Sequence, residues 1–233
     1  MMVTLTIDGQ IIHVERHTPI IEAAKQLGIS IPTLCHHEGL QPFGSCRLCI
    51  VEAFRGNRSK LVTSCNYPAE EGLTVLTASD RVLETRKMVM ELLLARCPDV
   101  PGIRRLAEKM GVEAVGFKKK GDQWCILCGL CVRACEQMVG VSAISFASRG
   151  IEREVKTPFG MESDVCIGCG TCTYICPTGC IEMTGDPGPP GHRVMDMGDL
   201  ALGSCSNNHD CETCDIDQGF LDKMKRAIES VRL

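Results

Sequence analysis

The sequence predicts an α+β chain with two small domains and a cysteine-rich C-terminal tail. Three observations carry that reading. The N-terminus alternates like a β-hairpin and then turns helical, a four-cysteine motif recurs at an offset of 41 residues, and a proline- and glycine-rich break precedes the last cysteines.

Taken in order, Val3, Leu5 and Ile7 alternate with Thr4 and Thr6, and Asp8-Gly9 offers a tight turn before Ile11, Ile12 and Val14. This is a hairpin pattern. Thr18 can cap a helix whose first position is Pro19, with Ile20, Ala23, Ala24 and Leu27 at helical spacing and Gly28 at its end. Two further β-rich runs, Leu48 to Phe54 and Leu73 to Thr77, complete a small mixed sheet around loops that hold Cys35, Cys46, Cys49 and Cys65. Residues 1–78 form the first domain.

From Thr77 the pattern changes. Val82, Val89, Leu92 and Leu93 recur at helical spacing until Cys97-Pro98 stops the run, and a second short helix is expected from Ile103 to Met110. Residues 79–120 are therefore a helical connector. Residues 125–144 and 166–185 are two copies of one unit whose cysteines superimpose, which marks residues 121–184 as the second domain. Between the copies, Ile151 to Phe159 reads as a short strand or hairpin. Residues 185–233 begin with Gly185-Asp186-Pro187-Gly188-Pro189-Pro190-Gly191, a linker, and continue as a tail with a short helix.

Seventeen cysteines among 233 residues are an odd number, so complete disulfide pairing is impossible and metal ligation is the better reading. The N-terminus has no charged segment leading into an apolar run and no twin arginine, which points to a reducing, cytoplasmic setting. No apolar run is long enough for a transmembrane helix. A net charge of -4 gives no electrostatic case for nucleic acid, and Lys118-Lys119-Lys120 reads as a solvated loop.

The strongest signal is Cys125-x2-Cys128-x2-Cys131-x3-Cys135, echoed by Cys166-x2-Cys169-x2-Cys172-x3-Cys176-Pro177. Three thiolates at three-residue steps wrap one face of a cubane, and the fourth ligand comes from the other run. One 4Fe-4S cluster is thus assigned to Cys125, Cys128, Cys131 and Cys176, and the second to Cys135, Cys166, Cys169 and Cys172. Zinc modules, the alternative, place two cysteines close together and two more far away. Gly129, Gly168 and Gly170 let the backbone approach the inorganic core. The first constellation, Cys35-x10-Cys46-x2-Cys49-x15-Cys65, shares the Cys-x2-Cys core and distant fourth cysteine of plant-type 2Fe-2S ferredoxins but has a longer first gap.

Here a family resemblance becomes specific. Pro32-Thr33-Leu34-Cys35 and Gly44-Ser45-Cys46-Arg47-Leu48-Cys49-Ile50-Val51-Glu52 resemble the β-grasp ferredoxin domain that opens the large electron-transfer subunit of respiratory complex I. The same arrangement occurs in the small diaphorase subunit of NAD-reducing nickel-iron hydrogenases, in multi-subunit iron-only hydrogenases and in NAD-dependent formate dehydrogenases. With the repeat, the resemblance covers residues 1 to 184. It implies a β-grasp 2Fe-2S ferredoxin domain, a bacterial-type two-cluster ferredoxin domain, one 2Fe-2S cluster and two 4Fe-4S clusters. Relatives commonly hold a third cluster between these domains through one histidine and three cysteines. This chain has Arg96-Cys97-Pro98-Asp99 there, so that cluster is expected to be absent and Cys97 to be a buried or half-buried thiol.

In the tail, Cys205, Cys211 and Cys214 surround His209, and the stretch has few large apolar residues with which to build a core. A fourth metal site is expected there, zinc or iron-sulfur, completed by Cys180 or His209, with Cys180 as packing filler otherwise. His36 and His37 adjoin Cys35 and read as solvated more readily than as donors to a cluster sulfur. His13, His17 and His192 carry no pattern. Met88 and Met90 read as adaptable core filler.

No phosphate-binding glycine loop or nucleophile motif accompanies these cysteines. Clusters carry single electrons, so the chain reads as a wire with no catalytic residues of its own. The resemblance implies a flavin- and NAD-binding partner near the first domain and a hydrogenase or formate dehydrogenase module near the second. The tail is similar to that of electron-bifurcating relatives, which adds ferredoxin as a partner. Two other readings stand beside it: an iron-sulfur subunit of succinate dehydrogenase or fumarate reductase type, whose first gap and last cluster fit less well, and a zinc scaffold without redox activity.

Overall fold

The computed structural model describes residues 1–112, 115–118, 123–161 and 163–182. The chain divides into two units, Met1–Gly129 and one that begins at Leu130.

In the first unit, β1 (Met2–Ile7) and β2 (Gln10–Glu15) form the expected hairpin, with Val3 opposite Val14 and Leu5 opposite Ile12. β3 (Ile50–Arg55), β4 (Arg58–Thr63) and β5 (Leu73–Leu76) extend it to a five-stranded sheet of order β2-β1-β5-β3-β4. β1 and β5 run parallel, and the other pairs are antiparallel. The alternation of β1 turns Val3, Leu5 and Ile7 into one core with Val51 and Val75. Strand β4 escapes the sequence reading because it lies at the sheet edge, and its Arg58, Ser59 and Lys60 are the polar residues that protect such an edge. The only signal for it was the Gly56-Asn57 turn, where Gly56 takes a φ of 58°.

Helix α1 (Ile20–Gln26) lays Ile20, Ile21, Ala23 and Ala24 on that core. Thr18 does not cap it. Pro19 occupies the cap position, and the N–H groups of Ile20 and Ile21 donate to the carbonyls of Tyr67 and Ser64, each at 3.0 Å. The helix start is thereby sewn to the segment around Cys65. Helix α2 (Asp80–Arg96) is capped by Ser79, whose hydroxyl accepts from the Val82 N–H, and buries Val82, Arg86, Met90 and Leu93 along one face. That stripe puts Met88 and Leu92 on the outer face, so Met90 alone of the two methionines fills the core. Helix α3 (Pro101–Lys109) buries Ile103 and Ala107.

In the second unit, α4 (Leu130–Ala134) widens into one π-helical turn, Cys135–Val139, which Gly140 closes in the left-handed conformation. Where the other copy has Pro177 to stop the chain, Glu136-Gln137 lets this helix run on. β6 (Ser145–Ala147) pairs with β7 (Glu154–Lys156), so the span Ile151 to Phe159 supplies only the second strand of a hairpin begun earlier. α5 (Thr171–Tyr174) follows and packs on α4. The linker at 185–191, His192, Cys205, His209, Cys211, Cys214 and the expected C-terminal helix lie outside the described residues, as do Lys119 and Lys120. Among the described residues no helix is long and apolar enough to cross a membrane.

Candidate metal centres

The first centre is built from loops anchored to the sheet. Cys35 and Cys46 lie between α1 and β3, Cys49 immediately precedes β3, and Cys65 follows β4. All four are buried. They come together in two pairs, because Cys35 shares a hydrogen bond with Cys46 and Cys65 shares one with Cys49. The hydrogen bond from Cys35 holds the Cys46 thiol down to about 5, while the same contact, reinforced by burial, pushes Cys35 well up. The bond with Cys65 brings Cys49 to about 7 and leaves Cys65 far above the ordinary thiol range.

Backbone N–H groups point at the sulfurs. Leu34 N donates to Cys46 Sγ and Cys46 N to Cys35 Sγ, both at 3.4 Å. Arg47, with a φ of 61°, reverses the chain between Cys46 and Cys49, and the Leu48 N–H also donates to Cys46. Gly44 takes a φ of 70°, and a Cβ there would stand 3.1 Å from Asn66 Nδ2, so this turn is closed to larger residues. The histidines beside Cys35 have other partners. His36 Nε2 meets Glu22 Oε1 at 2.7 Å and is mostly buried, and His37 Nδ1 accepts from the Gly39 N–H. His36 is thus an internal contact of α1, which a reading of two adjacent histidines as solvated misses.

Cys125 and Cys128 belong to the same unit. Arg96, at the end of α2, donates from Nε to the Cys125 carbonyl at 2.7 Å, and Leu127 N donates to Cys125 Sγ at 3.4 Å. Leu127 and Gly129 have φ values of 54° and 71°, and Gly168 and Gly170, at the same two positions of the second copy, have 65° and 73°. The repeat is therefore one of backbone conformation as well as of cysteines. Cys97 is fully buried, and burial pushes its thiol up to about 11.

In the second unit Cys131 lies on α4 and Cys135 at the start of its wide turn, where Ala143 N donates to Cys135 Sγ at 3.2 Å. Cys166 is exposed, and Cys169 Sγ lies 3.3 Å from Thr171 Oγ1. Burial is the chief cause that raises the Cys172 thiol, to which Cys169 and, less, Cys135 add electrostatically. Cys176 Sγ stands 3.5 Å from both Cys180 Sγ and Thr178 Oγ1, and the hydrogen bond with Cys180 brings it down to about 5. Cys180 is therefore the immediate neighbour of Cys176.

At the first centre, sulfur donors, interior placement and aimed N–H groups fit an iron-sulfur cluster. Among the described residues no three Cys, His, Asp or Glu side chains close on a point that one metal ion could occupy.

The fold and cysteines define an iron-sulfur protein of mixed helix and sheet, with a 2Fe-2S domain followed by a 4Fe-4S dicluster domain. Residues 1–80 match the 2Fe-2S iron-sulfur cluster binding domain and residues 124–180 the 4Fe-4S dicluster domain. The chain is 31% identical to a chain of an NAD+-reducing [NiFe]-hydrogenase solved in the H2-reduced state, with a TM-score of 0.65, covering 76% of this chain and 86% of that one. It belongs to the iron-sulfur subunit family of that hydrogenase chain. It is also 36% identical over 203 residues to the alpha subunit of NADPH-Fe(3+) oxidoreductase of Geobacter sulfurreducens, covering 76% of this chain and 24% of that subunit. Over 211 residues it is 33% identical to the NADP-reducing hydrogenase subunit HndD of Solidesulfovibrio fructosivorans, covering 77% of this chain and 36% of the relative. For the 78 kDa subunit of NADH-ubiquinone oxidoreductase of Neurospora crassa the identity is 32% over 205 residues, covering 77% and 27%. The chain spans about a quarter to a third of the length of these three relatives.

Proposed function

We propose that this chain relays single electrons between a flavin- and NAD-binding subunit and a hydrogenase or formate dehydrogenase module, in a cytoplasmic complex. The observation that carries the reading is the buried double pair Cys35–Cys46 and Cys49–Cys65 in the same unit as the Cys125–Cys128 turn. The four cysteines would ligate one 2Fe-2S cluster, and their pairing supports a reading in which Cys35 and Cys46 share one iron and Cys49 and Cys65 the other. Spacing assigns one 4Fe-4S cluster to Cys125, Cys128, Cys131 and Cys176, and a second to Cys135, Cys166, Cys169 and Cys172. The domain bounds follow these sets: residues 1–78, a connector to 120, the dicluster domain to 184, and the tail beyond.

Bound clusters would supply reversible one-electron chemistry. The chain's own residues do the rest: the Leu34, Leu48 and Ala143 N–H groups orient and stabilise thiolates, burial keeps water from the first quartet, and Arg96 holds the Cys125 loop on α2. The tail cysteines, with Cys180 or His209, add a fourth site of zinc or iron-sulfur type, and an iron-sulfur site there would suit a bifurcating complex with ferredoxin as a third partner.

Anaerobic iron and sulfide analysis with paramagnetic resonance tests the reading. One two-iron and two four-iron clusters require about ten irons per chain. A value near eight without a 2Fe-2S signal would remove the N-terminal assignment, and a colourless zinc protein would remove the whole wire. Isolation under anaerobic conditions should bring a flavin-containing subunit with the chain.

A further inference from the structure

Arg86 is a buried cation that pairs with no carboxylate among the described residues. Its residue is only 7% exposed, although arginine is among the residues least often buried without a partner. From the inner face of α2 its Nε donates to the Leu48 carbonyl at 3.0 Å and its Nη2 to the Ile50 carbonyl at 2.6 Å. Both acceptors are neutral, and they flank Cys49 on either side. Among the described residues no carboxylate forms an ion pair with it. Glu52, the buried carboxylate further along β3, is taken up by Ser79 and Ser59, with Arg81 at 3.4 Å. Burial weakens Arg86's hold on its proton. Of the two groups that strengthen it, Cys49 acts more than Asp8.

Guanidinium keeps its proton at any physiological pH, and a buried charge left uncompensated is costly. Two carbonyls satisfy donors but do not neutralise charge. We propose that the counter-charge of Arg86 is the anionic cluster held by Cys35, Cys46, Cys49 and Cys65, and that Arg86 sets this cluster's midpoint potential. The inference rests on the 2Fe-2S assignment above. Reduction adds one electron to the cluster, breaks no bond and moves no proton. A fixed buried cation stabilises the extra negative charge more than the oxidised state, so Arg86 makes the cluster easier to reduce. Because the site is interior, mobile ions screen the effect little.

The test is a redox titration of the full chain, followed by the paramagnetic signal of the reduced 2Fe-2S cluster, in wild type, Arg86→Gln and Arg86→Lys. Arg86→Gln should shift the midpoint to lower potential at both low and high salt. Arg86→Lys, which keeps the charge but loses the two-pronged grip, should return most of that shift. A 2Fe-2S signal whose midpoint is the same in Arg86→Gln would overturn the inference and leave Arg86 a clamp between α2 and the loop. Equal shifts in both variants would do the same. If Arg86→Gln takes up no cluster, the lysine variant decides: uptake with a midpoint near wild type supports the counter-charge role, and failure of both overturns it. Loss of the signal from wild type itself would instead strike the 2Fe-2S assignment.

Discussion

The hydroxyl of Ser45 donates a 2.8 Å hydrogen bond to the carbonyl of Leu127, 82 residues further along the chain. Ser45 precedes Cys46, and Leu127 sits between Cys125 and Cys128, so one bond ties together the two cysteine loops of the first unit. Leu127 holds a φ of 54°, a conformation that costs a side-chain-bearing residue on the order of 1 kcal/mol and persists only when its surroundings fix it. Ser45→Ala removes one of those fixings. The expected cost is about 1 kcal/mol, read as a fall of roughly 2–4 °C in the melting temperature of the loaded protein. Calorimetry measures it, and an unchanged melting temperature would mean that water takes the place of the hydroxyl.

Cys97 gives a prediction in pH. Burial raises its thiol from the ordinary 9.0 to about 11, so the neutral form is favoured until the pH climbs through that range. At about pH 8 its thiolate population is roughly a hundredfold below that of an ordinary thiol, and its sulfur is shielded as well. Iodoacetamide should leave Cys97 unmodified in the native protein and label it in denaturant, as peptide mass spectrometry can read. Native labelling at an ordinary rate would mean that the α2 end opens. Cys97→Ala should keep the wild-type iron content, since no cluster is assigned to it.

The parts that a reading of the sequence captures are those set by period and spacing. Val3, Leu5 and Ile7 alternate because one face of β1 is core, and the cysteine steps reflect the geometry of the centre they surround. What it misses was decided by tertiary contacts. Thr18 looks like a cap, but the carbonyls of Ser64 and Tyr67 already satisfy the first N–H groups of α1. Arg86 lies at the centre of the buried stripe of α2 because the carbonyls of Leu48, in the loop, and Ile50, at the start of β3, receive it. Leu127 carries no sequence mark of a left-handed backbone, and only its alignment with Gly168 in the repeat could have suggested one.

Crossed ligation makes a prediction about Cys135, which lies at the α4 end of the second unit, where α4 packs on α5. Cys135→Ser should therefore damage the cluster assigned otherwise to Cys166, Cys169 and Cys172, although Cys135 precedes them by a full repeat. Cys176→Ser should damage the other. Its effect should be the milder of the two, because Cys180 Sγ lies only 3.5 Å from Cys176 Sγ and offers a substitute thiolate. The double variant Cys176→Ser, Cys180→Ser removes that substitute and should lose roughly four irons per chain. Resonance spectra and iron counts distinguish the cases, and damage confined to the cluster of each cysteine's own run would reject the crossing.

The tail is the place where sequence alone speaks. Between Leu202 and Phe220 only Ile216 is a large apolar residue, so this segment has little with which to build a core, while Cys205, His209, Cys211 and Cys214 concentrate donors within ten residues. A metal bound only by the folded form would stabilise that form directly and supply what burial does not. Elemental analysis of wild type against the double variant Cys211→Ser, Cys214→Ser measures it. Loss of about one zinc per chain, with iron unchanged, would make the tail a structural site. Loss of iron with the zinc content constant would make it a fourth redox centre and lengthen the wire. Equal metal contents in the two proteins would leave these cysteines as plain thiols and withdraw the site.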